Sequence, residues 1–206
     1  MAFRGWPAEA IEFYEGLEAD NSKTYWQAHK STYDESVRAP MVELLAELEP
    51  EFGAGKIFRP YRDVRFSADK TPYKTNIGAT LGGGGYVQLG ADGLAAGCGI
   101  WHMEAESLQR YRAAVDDDAT GEQLTRIVDE LTGTGLEVIS REALKSAPRG
   151  FDRDHPRADL LRRKGLAAWR SWGVGAWLGT AKAKDRVVEL LRAAAPLNDW
   201  LAKHAG

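Results

Sequence analysis

Apolar positions in the first quarter of the chain recur every three to four residues, the spacing that buries one face of a helix. Three helices are predicted there. The first follows Pro7, the second begins at the polar cap Ser22 and ends where Pro40 interrupts the pattern, and the third runs from Pro40 to Leu48 and stops before Pro50. The buried positions expected in these helices are Ala10, Phe13, Leu17, Trp26, Tyr33, Val37, Val42, Leu45 and Leu48.

The period changes to two after Gly55, which indicates half-buried strands. Phe58, Val64 and Phe66 alternate with polar residues and predict a first strand. Further strands are expected over residues 77–81, 86–89 and 94–101, separated by a glycine-rich turn at residues 82–85 and a hairpin at residues 91–93. Because the connections are short, neighbouring strands should be antiparallel and form a meander.

Helical spacing returns after this meander. Leu108, Tyr111 and Val115 predict one helix, and a Thr120/Gln123 capping box introduces a second that extends to Leu131. Short strands are expected over residues 136–139 and 166–172, a short helix over residues 156–163, and helices at the C-terminus. The predicted fold is α+β, an antiparallel β-meander sheet packed with N-terminal, central and C-terminal helices, in one domain spanning residues 1–206.

Composition narrows the class of protein. The 206 residues are 44% apolar and 28% charged, which is typical of a globular protein and excludes a wholly disordered chain. The one cysteine, Cys98, cannot form an internal disulfide and lies between glycines in an apolar strand, as expected of a small core residue. No apolar run is long enough to span a bilayer, and no secretory signal is recognisable, so we expect a cytoplasmic protein without membrane insertion.

Charge is distributed unevenly along the chain. The stretch from Lys56 to Asn76, KIFRPYRDVRFSADKTPYKTN, is named here the basic segment; it contains six cations and two aspartates. Its balance of +4 leaves −7 on the rest of a chain whose net charge is −3. Such a local excess of positive charge predicts a surface that meets an anion.

The predicted strand divides the basic segment into two faces. The inward face should consist of Phe58, Val64 and Phe66, and Arg62 should share it. Tyr61 belongs to the opposite, polar face. A buried guanidinium is costly unless it is paired, so Arg62 should meet a carboxylate such as Asp69 or leave the sheet at a bulge. The following loop, SADKTPYKTN, could bring Lys70, Thr71, Tyr73 and Lys74 to one point.

Two classes of function fit this segment. One is an enzyme that acts on a phosphorylated or carboxylated small molecule; the other is a non-catalytic anion-binding module that contacts nucleic acid or an acidic protein partner. A purely structural ion-pair network explains the same charges equally well. The candidate anion-binding residues are Arg59, Arg62, Arg65, Ser67, Lys70 and Lys74. The candidate proton-transfer residues are Asp63, Asp69, Tyr73 and His102.

No cofactor or metal is expected. His102 with Glu104, and Asp152 with Asp154 and His155, are weak candidates for a metal site because no ligand-spacing motif accompanies them. For His155 the alternative is hydrogen bonding at a helix start. The run Gly82–Gly85 lacks the features of a phosphate-binding loop, and Gly97 and Gly99 leave space for a packed helix or a ligand beside their strand.

The string RDVRFSADKTPYKTN resembles the hallmark of a widespread, mainly microbial family catalogued as domain of unknown function 2461. The N-terminal string FYEGLEADNSKTYWQAHKSTYDESVRAP is similar to the helical block of that family, including Asn21, Trp26, Lys30, Tyr33 and Pro40. Further matches follow in GGGGYVQL, GLAAGCGIWHMEAESLQRYR, APRGFDRDHPRADLL and PLNDWL, whereas AAWRSWGVGAWLGTAKA departs from the expected pattern. The resemblance covers nearly the whole chain and implies no particular activity.

Overall fold

A computed structural model describes residues 2–65 and 68–206. The chain forms two compact units, one comprising the chain up to Ala96 together with Ser171–Glu189, the other Gly97–Arg170 together with Leu190–Gly206. The predicted α+β class is confirmed, because helices accompany an antiparallel sheet in the order β1-β2-β3-β4-β6-β5. The strands are β1 (Gly55–Ile57), β2 (Asn76–Leu81), β3 (Gly85–Gly90), β4 (Gly93–Ile100), β5 (Glu137–Ile139) and β6 (Leu166–Trp172).

The N-terminal quarter is helical, as its periodicity predicts. The helices are α1 (Ala8–Ala19), α2 (Lys23–Ala28), α3 (Lys30–Thr32), a π-helical turn (Tyr33–Arg38) and α4 (Ala39–Phe52). The hydroxyl group of Ser22 caps α2 by accepting from the N–H of Tyr25. In the π-helical turn the N–H of Ala39 reaches five residues back to the carbonyl of Asp34, the wider hydrogen-bond spacing of this structure.

Two details of α4 differ from the prediction. Pro50 lies inside the last turn of the helix rather than beyond its end, where it removes one backbone N–H donor. The helix ends at Phe52 and is capped by Gly53, whose φ of 80° suits glycine. Val42 is 43% exposed, and the buried face consists instead of Met41, Leu44, Leu45 and Leu48.

The meander forms nearly where it was expected. Strands β2 and β3 pair from Asn76 opposite Gly90 to Thr80 opposite Tyr86, and a turn at residues 82–84 connects them. Strand β4 follows the tight turn at Ala91 and Asp92. Glycine at position 93 is required because φ is 110° there and a Cβ would lie 2.4 Å from the carbonyl oxygen of Trp172.

The predicted first strand is wrong for most of its length. Strand β1 ends at Ile57, the chain beyond it is irregular, and Phe58 is 38% exposed rather than buried. Pro60 has no N–H to donate to a ladder, and the Asp63 carboxylate accepts from the Arg65 N–H, which competes with strand pairing. Phe66, the last of the three expected inward residues, lies outside the described residues.

In the second unit, α5 (Ala105–Asp116), α6 (Asp118–Gly133), α7 (Ala158–Leu161) and α9 (Ala195–His204) pack around fully buried side chains such as Tyr111 and Leu124. Helix α6 begins earlier than predicted, and its cap is Asp117, whose carboxylate accepts from the Thr120 N–H. A short 3-10 helix (Ala176–Gly179) and α8 (Lys182–Ala193) complete the described elements.

Two sequence features of β4 have a structural explanation. Cys98 is a buried core residue, as predicted. The space beside Gly97 is filled by the ring of Trp169, because a Cβ on Gly97 would lie 2.6 Å from that ring.

None of the helices described here has the length and apolarity that crossing a bilayer requires.

Candidate functional site

The basic segment doubles back on itself. Tyr61 lies opposite Tyr73 in an isolated antiparallel bridge. On either side of this bridge the Arg62 N–H donates to the Pro72 carbonyl at 2.9 Å, and the Lys74 N–H donates to the Pro60 carbonyl at 2.8 Å. Residues 59–62 and 72–74 are therefore held side by side by backbone hydrogen bonds.

Asn21 anchors this paired region to the N-terminal helices. Its side-chain amide donates to the Tyr73 carbonyl at 3.1 Å, and its side-chain oxygen accepts from the Tyr73 N–H at 3.0 Å. The asparagine thus satisfies both backbone groups of one residue, as a neighbouring strand would. Because the two residues are 52 positions apart, this contact links the start of the chain to the basic segment.

An aromatic cluster lies beneath the same region. The Tyr73 ring stacks on the Trp26 ring with centroids 4.4 Å apart and an interplanar angle of 7°. Tyr33 and Phe13 contact Trp26 from other sides. These four rings are buried. Tyr61, which contacts Trp26 at 6.2 Å and Tyr73 at 5.5 Å, is the member of the cluster that remains 50% exposed.

The expected partner of Arg62 is present. Its guanidinium group forms an ion pair with Asp69 and donates to the Thr71 hydroxyl group. Asp69 also accepts from the Thr71 N–H at 2.9 Å and from the Thr71 hydroxyl group at 2.8 Å. These hydrogen bonds, those of Thr71 first and that of Arg62 after them, lower the pKa of Asp69 to about 2. Arg62 is half-buried, so the loop around it is closed by a charge-assisted network.

Two further cations of the basic segment are engaged within it. Arg65 forms a bidentate pair with Asp63, with Nε–Oδ1 and Nη2–Oδ2 distances of 2.9 and 2.6 Å, which lowers the pKa of that carboxyl group. Lys70 donates to the Val64 carbonyl at 2.9 Å. Arg65 and Lys70 thus stabilise the conformation of the loop itself.

Arg59 and Lys74 differ from those cations. Arg59 directly precedes Pro60, whose carbonyl accepts the Lys74 N–H, so the backbone at the two positions is close. Within residues 2–65 and 68–206, no carboxylate oxygen lies within 4.0 Å of either charged group. The Lys74 ammonium group is half-buried and lies 5.1 Å from the centroid of the Phe58 ring. Burial, and after it the positive charge of Arg59, lowers the pKa of Lys74.

The predicted proton-transfer residues have different surroundings. Asp63 and Asp69 are held by arginines, and Tyr73 is buried in the aromatic cluster, where burial raises the pKa of its hydroxyl group. His102 is exposed at the end of β4 in the second unit, near Glu142. Of the residues expected to converge, Lys70 donates to the Val64 carbonyl and Thr71 to Asp69, while the Tyr73 ring stacks on Trp26 and the Lys74 ammonium group lies over Phe58. Ser67, another predicted anion ligand, lies outside the described residues.

The weak metal candidates have other contacts. His155 accepts from the Arg157 N–H through Nδ1 at 3.0 Å and places Nε2 3.4 Å from Asp116, which is the helix-start hydrogen bonding considered as the alternative. Across residues 2–65 and 68–206, no group of three or more His, Cys, Asp or Glu side chains is placed to hold a metal ion.

Sequence reasoning missed two residues of this region. The sequence singles out Asn21 only as a position of the family resemblance, and nothing local to it points to Tyr73. Tyr61 was assigned to the polar face, but its contact with a buried aromatic cluster has no signal in the two-residue alternation. The common feature is that both roles depend on contacts between distant parts of the chain.

These features define a class of α+β protein in which an N-terminal helical block anchors a basic, doubled-back segment beside an antiparallel meander. The chain belongs to the family described as conserved hypothetical protein (DUF2461), whose model matches residues 9–200. The match includes both the helical block and the basic segment, which confirms the resemblance seen in the sequence. No curated protein was found to match the chain.

Proposed function

We propose that this protein binds a small anion that carries a phosphate or carboxylate group, and that Arg59 and Lys74 hold it. The observation that carries the proposal is the adjacency of these two cations without a carboxylate partner among the described residues. Two like charges near one another repel, and an anion between them would remove that repulsion. The lowered pKa of Lys74 is the electrostatic sign of the same repulsion and of burial.

Three other cations of the basic segment support the proposal by a different route. Arg62, Arg65 and Lys70 are bound to acceptors inside the segment, so they hold the loop in shape. The proposal therefore assigns a structural role to these three cations and ligand binding to Arg59 and Lys74. A preformed site of this kind loses less conformational entropy when its ligand binds.

Binding without proton transfer agrees best with the surroundings of the candidate acids and bases. Asp63 and Asp69 have lowered pKa values and are ionised at neutral pH, so neither can serve there as a general acid. An enzyme would need a base near Arg59 and Lys74. Asp63, whose pKa is lowered by its hydrogen bonds from Arg65 and also by the charge of Arg59, is already bound by Arg65.

A nucleic-acid or acidic-protein partner agrees less well with the charge distribution. The chain outside the basic segment carries −7, which repels an extended polyanion that reaches beyond the segment. A small anion avoids that repulsion because it contacts only the two cations and their immediate neighbours.

The proposal is tested by titrating the protein with inorganic phosphate and with acetate while amide chemical shifts are followed. Lys74→Met and Arg59→Gln should each weaken binding by about tenfold, or ~1.4 kcal/mol, since each removes one of two charged contacts. Lys56→Gln is the matched control, because Lys56 lies on β1 in the same segment but outside the pair. Equal weakening by all three variants would show a general charge effect and would overturn the proposed site, as would the absence of phosphate-dependent shifts in the wild type.

A further inference from the structure

Three buried tyrosines of the first unit have hydroxyl groups without a partner in the described protein. Tyr14 is 1% exposed, and Tyr33 and Tyr73 are each 5% exposed. Within residues 2–65 and 68–206, the hydroxyl groups of these three residues form no hydrogen bond with the protein. A buried tyrosine usually finds a partner for its hydroxyl group, so three such groups in one unit require an explanation.

The oxygen atoms of these hydroxyl groups are accessible to solvent. Among the described residues, no side-chain nitrogen or oxygen atom that is sealed from solvent lacks a hydrogen-bond partner. Since the three hydroxyl groups have no protein partner, their oxygen atoms lie against a space that a water molecule can enter. The rings are packed inside the protein, and only the polar end of each side chain is available to a ligand.

These tyrosines belong to one group that also includes the half-exposed Tyr61. The centroids of the Tyr61 and Tyr73 rings are 5.5 Å apart, and the Tyr33 and Tyr73 rings lie 4.8 and 4.4 Å from the Trp26 ring. After the larger effect of burial, charge on Tyr61 raises the pKa of Tyr33 and of Tyr73. Charge on Tyr33 likewise adds to the effect of burial on the pKa of Tyr14. Such effects require neighbouring groups, and the four hydroxyl groups are named here the hydroxyl cluster.

A cation borders the hydroxyl cluster. Tyr33 and Arg38 are the first and last residues of the π-helical turn, and the five-residue spacing of its hydrogen bonds brings Arg38 closer to the side of Tyr33 than an α-helix would. Burial raises the pKa of Tyr33 to about 12, and the positive charge of Arg38 opposes that increase. Arg38 is exposed, and no carboxylate oxygen of the described chain lies within 4.0 Å of its guanidinium group. The nearby Asp34 is paired with Lys30.

The hydroxyl cluster lies on the other face of the paired region from the Lys74 ammonium group. Tyr61 and Tyr73 are opposite each other in the antiparallel bridge, and successive side chains of an extended segment point to opposite faces. The Lys74 ammonium group accordingly lies over the Phe58 ring. The hydroxyl cluster is therefore distinct from the anion site proposed above.

Phenol hydroxyl groups beside a guanidinium group favour a small oxyanion. At neutral pH the phenols are protonated and can each donate one hydrogen bond, while the guanidinium group donates several and carries positive charge. A phosphate or carboxylate group accepts all of these hydrogen bonds, whereas a neutral polyol leaves the charge of Arg38 uncompensated. We infer that the hydroxyl cluster binds the oxygen atoms of a small oxyanion and that Arg38 neutralises its charge.

The experiment follows tyrosines labelled with ¹³C at Cζ by NMR while inorganic phosphate or acetate is added to the full chain. Either anion should shift the signals of Tyr33 and Tyr73. The signal of Tyr111, whose hydroxyl group donates to the Leu160 carbonyl at 3.0 Å, should stay unchanged. Tyr33→Phe and Arg38→Gln should each weaken the affinity read from the Tyr73 signal by about tenfold, since each removes one charge-assisted hydrogen bond.

Phenylalanine variants separate binding from stability. Tyr33→Phe removes a hydroxyl group without a protein partner, so the midpoint of urea unfolding without added anion should equal that of the wild type. Tyr25→Phe is the matched control, because the Tyr25 hydroxyl group donates to the Phe13 carbonyl at 3.0 Å. That variant should unfold at a lower urea concentration and bind phosphate with unchanged affinity.

Several results would overturn the inference. One is that neither phosphate nor acetate shifts the signals of Tyr33 and Tyr73, and another is that Tyr33→Phe and Arg38→Gln bind as tightly as the wild type. A lower urea midpoint for Tyr33→Phe would show that its hydroxyl group is already satisfied within the protein. Glucose that shifts the same signals, with an affinity that Arg38→Gln does not alter, would replace the oxyanion with a neutral polyol.

Discussion

Replacing Asn21 with alanine should loosen the basic segment without touching any of its charges. The substitution removes both hydrogen bonds to the Tyr73 backbone, at 3.0 and 3.1 Å. A typical hydrogen bond contributes about 0.5–1.5 kcal/mol net, so the free energy of unfolding should fall by about 1–3 kcal/mol. For a chain of this length each kcal/mol corresponds to a change in Tm of roughly 2–4 °C.

The assay is urea unfolding followed by tryptophan fluorescence, with phosphate titration of the folded variant. Asn21→Ala should lower the midpoint without changing the slope, and should weaken phosphate binding because the backbone on which Lys74 is mounted is released. Gln27→Ala on the exposed side of α2 is the control and should stay within about 0.5 kcal/mol of the wild type. Equal stabilities for the two variants would refute the anchoring role of Asn21.

Further consequences concern stability, reactivity and pH. Gly97→Ala should destabilise the protein by about 1–3 kcal/mol in calorimetry, since the new Cβ would lie 2.6 Å from the Trp169 ring. A Cβ added at Gly133 would have no described atom within 4 Å, so Gly133→Ala should stabilise α6 by about 0.5–1 kcal/mol. A loss of stability in this variant would contradict the account. Burial raises the pKa of Cys98 to about 11, so a thiol reagent at neutral pH should modify it only after unfolding. Because the folded pKa of Asp69 is depressed to about 2, its contribution to stability is present above its unfolded pKa of about 3.9 and is lost as pH falls toward 2. Asp69→Asn should remove that part of the acid dependence of amide exchange in the loop.

Local patterns predicted most of the elements. The two-residue alternation of β2 and β3 and the turn residues between them are set by neighbours along the chain, and both strands formed within one or two residues of expectation. The buried positions of α1 were predicted for the same reason, since a single period fits Ala10, Phe13 and Leu17.

Local patterns failed where side chains or distant contacts replace regular pairing. The alternation from Phe58 to Val64 indicated a strand, but Pro60 interrupts the donors and Asp63 binds a backbone N–H of its own loop. The expected carboxylate partner of Arg62 was predicted correctly, because the cost of an unpaired buried charge limits the possibilities to nearby acids such as Asp69.

The sequence places the proposed site in the basic segment but does not divide the roles of its cations. Charge counting identifies the basic segment and cannot separate cations that bind within the segment from those that remain available. That distinction requires the paired backbone around Pro60, which places Arg59 beside Lys74 and leaves Arg65 with Asp63.

The most direct measurement is the pKa of the Lys74 ammonium group, followed by side-chain NMR with and without phosphate. Without ligand, the pKa should lie below its ordinary value and should rise in Arg59→Gln, because burial and the Arg59 charge lower it. An anion bound between the two cations favours the charged form, so phosphate should raise the pKa of Lys74 in the wild type. A Lys74 pKa that phosphate leaves unchanged, at concentrations where binding is otherwise detected, would contradict the proposed site.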